Sequence, residues 1–229
     1  MGTKPKGYEP SLGYDWLLPL YDPLFKWFLR EDSIKRRLVA KAGIRAGHRV
    51  LDVGCGTATL TLLVKSLYPD AEVLGLDGDP KALAIGRRKA RKAGLEVTLD
   101  EGLSYKLSYP DESFDRVLSS VMLHHLTREH KMQTLNEIWR VLKPSGELYV
   151  LDFGKPSTVQ WRELARRIFH RGERVRDNID DQLLTFFRDA RFLDVEEAGR
   201  QDTIIGSLSF YRASKGSIET CRVNGRVDR

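Results

Sequence analysis

Short apolar runs alternate along this chain with stretches whose apolar positions recur at helical spacing. Residues 49–53, 72–77 and 148–151 are compact apolar runs bounded by turn residues, the pattern of strands buried on both faces. Between them, Asp79-Pro80 opens a helix that runs to Ala93 and stops at Gly94, with the acid at the cap and proline in the first turn. A second helix places Leu135, Ile138, Trp139 and Leu142 on one face, and Pro144 and Gly146 break it before the next strand. Strand alternating with helix predicts an α/β fold built on one sheet.

Two further segments flank this core. Residues 13–29 are rich in aromatic side chains and read as an amino-terminal cap. Residues 161–171 form an amphipathic pattern, with Trp161, Leu164, Ala165, Ile168 and Phe169 on one stripe and Arg162, Arg166, Arg167 and Arg171 largely opposite. Such a helix either packs its apolar face on the core beside a solvated basic face or meets an anionic surface, so peripheral membrane contact is one expectation for it.

The bulk properties narrow the picture. At 229 residues and 41% hydrophobic content the chain can bury one substantial core. A single domain is expected over residues 1–213: cap and first helix to 47, a cofactor-binding core from 48 to 153, lid helices from 154 to 190 and final strands from 191. Residues 214–229, polar and without periodicity, read as a flexible tail. The start of the chain lacks the apolar stretch of a cleavable leader, and no run approaches the length of a membrane span. The two cysteines lie far apart and suggest no disulfide framework, so a cytoplasmic enzyme is expected. A formal net charge of +6 leaves room for an anionic partner. The histidines at 48, 124, 125, 130 and 170 show no metal-ligand spacing, so no metal site is expected.

The chemistry concentrates at residues 48–60. A strand through Val53 delivers Asp52 to the carboxyl edge of the sheet, and Gly54 and Gly56 let the backbone turn tightly beside a ligand. The helix that follows, starting near Thr57, points free amides at that ligand. A dinucleotide loop needs a third glycine or alanine where Thr59 stands, and a phosphate loop needs Gly-Lys-Ser/Thr, so both are excluded. The next strand ends in Asp77, 25 residues after Asp52, near the spacing of about 20 at which a strand-end acid meets ribose hydroxyls.

An acid, then Gly54-x-Gly56-x-Ala58, resembles the first motif of the class I S-adenosylmethionine-dependent methyltransferases, with alanine where that family usually has a third glycine. The resemblance continues in order. Gly102-Leu103-Ser104 stands for the family's Gly-Asp-Ala, Pro110 to Asp115 keeps its Pro-Asp-x-Ser-Phe-Asp step, and residues 136–152 match its last helix, turn and strand. The aromatic cap is similar to that of the quinone C-methyltransferases in the group that makes ubiquinone and menaquinone. This resemblance implies a Rossmann-like, doubly wound α/β sheet of about seven strands, mostly parallel with an antiparallel last strand, under a helical substrate cap.

It implies S-adenosyl-L-methionine as cofactor, leaving as S-adenosyl-L-homocysteine. Gly54, Cys55, Gly56 and Thr57 would surround the methionine part, and Asp52 would attract its ammonium or brace the loop. Asp77 and Gly78 would hold the ribose, while Gly102, Leu103 and Ser104 would flank adenine without the usual side-chain acceptor. Ser120, at the end of the fourth strand, matches a position near the cofactor. His124 and His125 are the candidate bases, and Asp152 and Tyr21 the candidate substrate residues. Cys55, wedged between glycines, is there for its size. Ala58 fits such a loop if its φ is negative.

The expected reaction is methyl transfer to a small hydrophobic or amphipathic acceptor, such as a quinone, a lipid or a secondary metabolite. Nucleic acid is a disfavoured partner, because the chain has neither the Pro-Pro-aromatic motif of amine methylases nor the Pro-Cys of cytosine enzymes. RNA methylation and a binding-only protein of the same fold remain the alternatives.

Overall fold

A computed structural model describes residues 31–155, 182–203 and 206–216. The expected cap residues 13–29 with Tyr21, most of the lid including the helix at 161–171, and most of the tail lie outside the described residues.

The apolar runs at 49–53 and 72–77 form β1 (Arg49–Val53) and β2 (Glu72–Asp77), and β3 (Thr98–Glu101) and β4 (Phe114–Ser120) follow. The run at 148–151 lies in β5 (Leu142–Phe153), which begins earlier than expected, at the Leu142 read as helical and through the expected break at Pro144 and Gly146. Two more, β6 (Leu193–Thr203) and β7 (Gly206–Ser214), complete a seven-stranded sheet of order β3-β2-β1-β4-β5-β7-β6. Pairings from β3 through β5 are parallel, and β7 runs antiparallel to both β5 and β6. The last strand carries through Ser214, whose hydroxyl donates to Asp194 Oδ2 at 2.8 Å, so sheet structure extends one residue into the stretch read as tail.

The helices cover both faces, as side-chain alternation along a strand requires. On one side α1 (Glu31–Lys41) and α2 (Thr59–Leu67) pack Ile34, Leu38, Leu60 and Val64 on Val50, Val73, Leu118, Tyr149 and Leu151. On the other, α4 (Arg128–Val141) and α5 (Gln182–Asp189) pack Leu135, Ile138, Leu183 and Phe187 on Leu51, Val117, Leu148 and Val150. Each such buried side chain contributes about 1.5–3 kcal/mol.

Helix α3 (Pro80–Ala93) obeys its sequence signals. The Asp79 carboxylate accepts the Lys81 N–H at 2.8 Å, Pro80 fills the first turn, and Gly94 ends the helix at φ 63°. The extra residues Lys143–Gly146 are taken into β5 by a register shift, with Phe114 opposite Leu142 but Arg116 opposite Glu147. Strand order reverses between β1 and β4, so a crevice at the carboxyl ends of these strands is where an open α/β sheet receives its ligand.

Candidate functional site

The glycine loop leaves β1 at this crevice and is pinned from β2. The amides of Gly54 and Cys55 donate to the Leu76 carbonyl at 2.8 and 3.0 Å, and Gly56 N–H donates to Asp77 Oδ2 at 2.7 Å. Gly54 and Gly56 have φ of 73° and 55°, where a side chain is strained. A Cβ on Gly56 would project into open space, whereas one on Gly54 would run into Met122 Cγ. The Cys55 side chain turns the other way, onto Gly75 and Leu99, and burial pushes its thiol well above the usual range. It is a neutral packing group, in keeping with its reading as a residue chosen for size.

Ala58 corrects one expectation. Its φ is +61°, not negative, so it takes the left-handed conformation that favours glycine. That conformation costs an L-residue about 1–2 kcal/mol. The methyl is fully buried and has room because α3 presents Gly86 opposite: a Cβ there would sit 2.9 Å from the Ala58 Cβ. Helix α2 therefore begins at Thr59, with no side chain capping its first amides. Gly86→Ala is expected to destabilise by about 1–2 kcal/mol, overpacking outweighing a helix-propensity gain of about 1 kcal/mol. With Ala58→Gly also present that cost should shrink, giving a coupling of at least about 1 kcal/mol in urea denaturation. Additive effects would contradict the fit described.

Asp52 is 1% exposed and accepts the Thr61 hydroxyl at 2.7 Å, tying β1 to α2 directly behind the loop. Of its two expected roles, this contact is the brace. Burial raises its carboxyl to about 6, against the pull of the Thr61 hydroxyl. The folded chain therefore holds a proton that the unfolded chain has lost, and stability falls as pH rises from about 4 through about 6. The full loss is about 3 kcal/mol, because the carboxyl titrates near about 4 in the unfolded chain and at about 6 in the folded one. Asp52→Asn, whose amide oxygen can still accept from Thr61, should remove this slope and raise the urea midpoint at pH 7.5. An unchanged difference between midpoints at pH 4.5 and 7.5 would contradict it.

Asp77 stands at the end of β2, where burial raises its carboxyl above the ordinary value while the N–H groups of Asp79, Gly56 and Gly78 pull it back. Its Oδ1 accepts the Asp79 N–H at 2.9 Å. The carboxylate thus joins the glycine loop to the cap of α3 and still has lone pairs for a diol. Spacing alone gives no sign of this bracing role. The Gly102 amide donates to the Asp77 carbonyl at 3.0 Å, which brings the end of β3 to the same edge. Ser104 Oγ meets Thr134 Oγ1 at 2.9 Å, so its side chain is turned to α4 rather than towards an adenine ring, and Leu103 closes a one-residue bridge with Lys106.

At the tip of β4 the Ser120 hydroxyl is buried and, among the described residues, has no hydrogen-bond partner. Val121 follows at φ 56°, an outlier for a β-branched residue. Nothing in the sequence signals it. The strained turn lays Met122 over Gly54 and leads into a short 3₁₀ turn at Leu123–His125. There His124 Nδ1 lies 2.8 Å from Asp152 Oδ1 at the end of β5. Two residues singled out separately thus form one buried pair. The rings of His124 and His125 are 3.9 Å apart, tilted by 41°.

The donor set fits S-adenosylmethionine. A cradle open over Gly56, a strand-end carboxylate and an unpartnered buried hydroxyl at Ser120 converge on the carboxyl edge at the β1/β4 switch point.

Comparison with known proteins agrees with this geometry. A family described as a methyltransferase domain matches residues 50–146. The chain is 42% identical over 122 residues to a demethylmenaquinone methyltransferase of Thermus thermophilus, covering 53% of this chain and 54% of that one. It is 33% identical over 193 residues to a demethylmenaquinone methyltransferase of a Geobacillus species, covering 75% of this chain and 79% of that one. The chain spans just over half the length of several curated relatives it matches, including that from Thermus and one from Listeria welshimeri. Among solved structures, an S-adenosylmethionine-dependent methyltransferase of Methanosarcina mazei superposes with TM-score 0.64 at 22% identity, covering 78% of this chain and 97% of that one. A phosphoethanolamine N-methyltransferase of Haemonchus contortus, solved with S-adenosylhomocysteine, gives TM-score 0.71 at 16% identity, covering 90% of this chain and 58% of that one.

Proposed function

Because this chain belongs to the class I S-adenosylmethionine-dependent methyltransferases, we propose that it transfers the cofactor's methyl group to a small quinone-like acceptor in its reduced form. The observation that carries this reading is the Asp77 carboxylate bound to the Gly56 amide, which sets a pinned glycine loop and a strand-end acid side by side. Gly54, Cys55, Gly56 and Thr57 would hold the methionine part, Asp77 and Gly78 the ribose, Gly102, Leu103 and Ser104 the adenine through backbone groups, and Ser120 would offer its unpartnered hydroxyl. When bound, the cofactor supplies an electrophilic methyl already activated by its sulfonium. The protein's task is then to align an electron-rich atom with that methyl and to exclude water.

The acceptor must be electron-rich, which favours the hydroquinone over the electrophilic quinone. The curated relatives are named for demethylmenaquinone, and the aromatic segment at residues 13–29 with Tyr21 suits a hydrophobic ring and tail. The amphipathic sequence pattern at residues 161–171 suits contact with the lipid in which such an acceptor resides. The protein is incubated with methyl-labelled S-adenosylmethionine and a cell extract under reducing conditions, and the labelled product is identified by mass. Label in a lipid-extractable quinol supports the proposal. Label confined to RNA, or cofactor binding with no transfer at all, contradicts it.

A further inference from the structure

We infer that His124 is the catalytic base of this site, that Asp152 is its positioning residue, and that the acceptor is one that gives up a hydroxyl proton as it is methylated. The inference rests on the methyltransferase reading above and adds where the proton goes.

Asp152 is fully buried at the carboxyl end of β5. Burial alone would push its carboxyl up, but the charge and hydrogen bond of His124, with the Phe153 N–H, hold it below the ordinary carboxylate value. It is therefore an anion in the interior, and a buried anion survives only with donors around it. Those donors are the His124 ring at 2.8 Å, the Phe153 N–H at 2.8 Å and, more weakly, the His124 N–H at 3.3 Å. A carboxylate only accepts, so Nδ1 carries the proton that faces it, and whenever the ring is neutral its lone pair is on Nε2.

Position matches chemistry. Leu151, next to Asp152, pairs with Ser120 at the tip of β4, and Met122, two residues before His124, lies over Gly54 of the cofactor loop. The ring is held on two further sides, by the edge of Phe153 at 4.8 Å and by His125 at 3.9 Å between centroids. Asp152 from β5 and His125 from the same turn are titratable groups facing it. The 2.8 Å contact between its Nδ1 and the buried carboxylate is the ground for assigning the base to His124.

In the step so assigned, the acceptor hydroxyl proton passes to Nε2 and the oxygen becomes an anion whose electron pair is shared with the adjacent ring carbon. That pair forms the bond to the incoming methyl carbon, while the pair of the broken carbon–sulfur bond stays on sulfur and neutralises its charge. For a ring carbon, the displaced C–H proton is then lost and the oxygen regains one. The net yield is one proton, carried away from the imidazolium to solvent.

His124→Asn tests this, because the asparagine amide takes the place of Nδ1–H towards Asp152 and removes only Nε2. S-adenosylhomocysteine affinity by calorimetry should stay within about threefold. The kcat for a reduced demethylmenaquinone with a short prenyl tail should fall at least ~100-fold, with KM little changed. Asp152→Asn should lower kcat while its ¹⁵N spectrum shows His124 no longer fixed as the Nδ1–H tautomer. Wild-type kcat in His124→Asn, or an Nε2–H tautomer in the unaltered enzyme, overturns the assignment. An enzyme that binds S-adenosylhomocysteine but leaves the reduced quinol unmethylated overturns the acceptor class and the base with it. Failure to bind S-adenosylhomocysteine counts instead against the underlying methyltransferase reading.

Discussion

Asp77→Ala is expected to weaken S-adenosylmethionine binding by about 100-fold or more and to erase the rise in melting temperature that saturating cofactor gives the unaltered protein. Two losses combine. The carboxylate is the proposed acceptor for both ribose hydroxyls, and hydrogen bonds to a charged group contribute about 1.5–3 kcal/mol each. It is also the acceptor for Gly56 N–H at 2.7 Å and Asp79 N–H at 2.9 Å, so its removal frees the glycine loop from β2. Asp77→Asn separates the two. Its amide oxygen can still accept from Gly56 of the loop, but its NH₂ can accept neither from a hydroxyl nor from the Asp79 N–H that the other oxygen now takes. An intermediate loss is therefore expected from isothermal titration, and equal affinity in all three proteins would show that the carboxylate does not touch the ligand.

Gly54→Ala should be the most damaging single methyl in the site, costing about 3 kcal/mol or more in urea denaturation. The left-handed φ of 73° accounts for about 1–2 kcal/mol of this. The rest comes from a Cβ that would run into Met122 Cγ and lie 2.9 Å from Met122 Cβ, contacts that only a shift of the turn after β4 can relieve. That turn carries His124, so activity should fall further than stability. Gly56→Ala provides the control. It meets the same backbone strain at φ 55° but no neighbour within 4 Å, so it should cost less stability while still filling the cradle. A Gly54→Ala protein as stable as Gly56→Ala would refute the packing described.

Local rules make much of this architecture legible. The caps of α3 at Asp79 and Gly94, the apolar runs of β1, β2 and β5, and the spacing from Gly54 to Asp77 all lie within short stretches of chain. What escapes them depends on residues brought together from afar. A Cβ disfavours positive φ, so negative φ is the natural expectation for Ala58, yet the space that admits its methyl is made by Gly86 on another helix. Likewise the His124 and Asp152 side chains meet only because β4 and β5 are parallel neighbours, 28 residues apart in sequence. Val121 carries no signal at all, since its strained φ is imposed by the turn that its neighbours complete. The Asp77 contact to Gly56 belongs to the same class, as an acid expected from spacing to meet a ligand also secures the neighbouring glycine loop.

The most direct measurement of the central claim is single-turnover transfer from methyl-labelled S-adenosylmethionine to a reduced, short-chain demethylmenaquinone by the purified protein, followed by mass analysis of both products. The expected result is one labelled methyl on the quinol ring and one equivalent of S-adenosylhomocysteine, both lost in Asp77→Ala. Unlabelled quinol beside intact cofactor, or transfer undiminished in Asp77→Ala, would contradict the account.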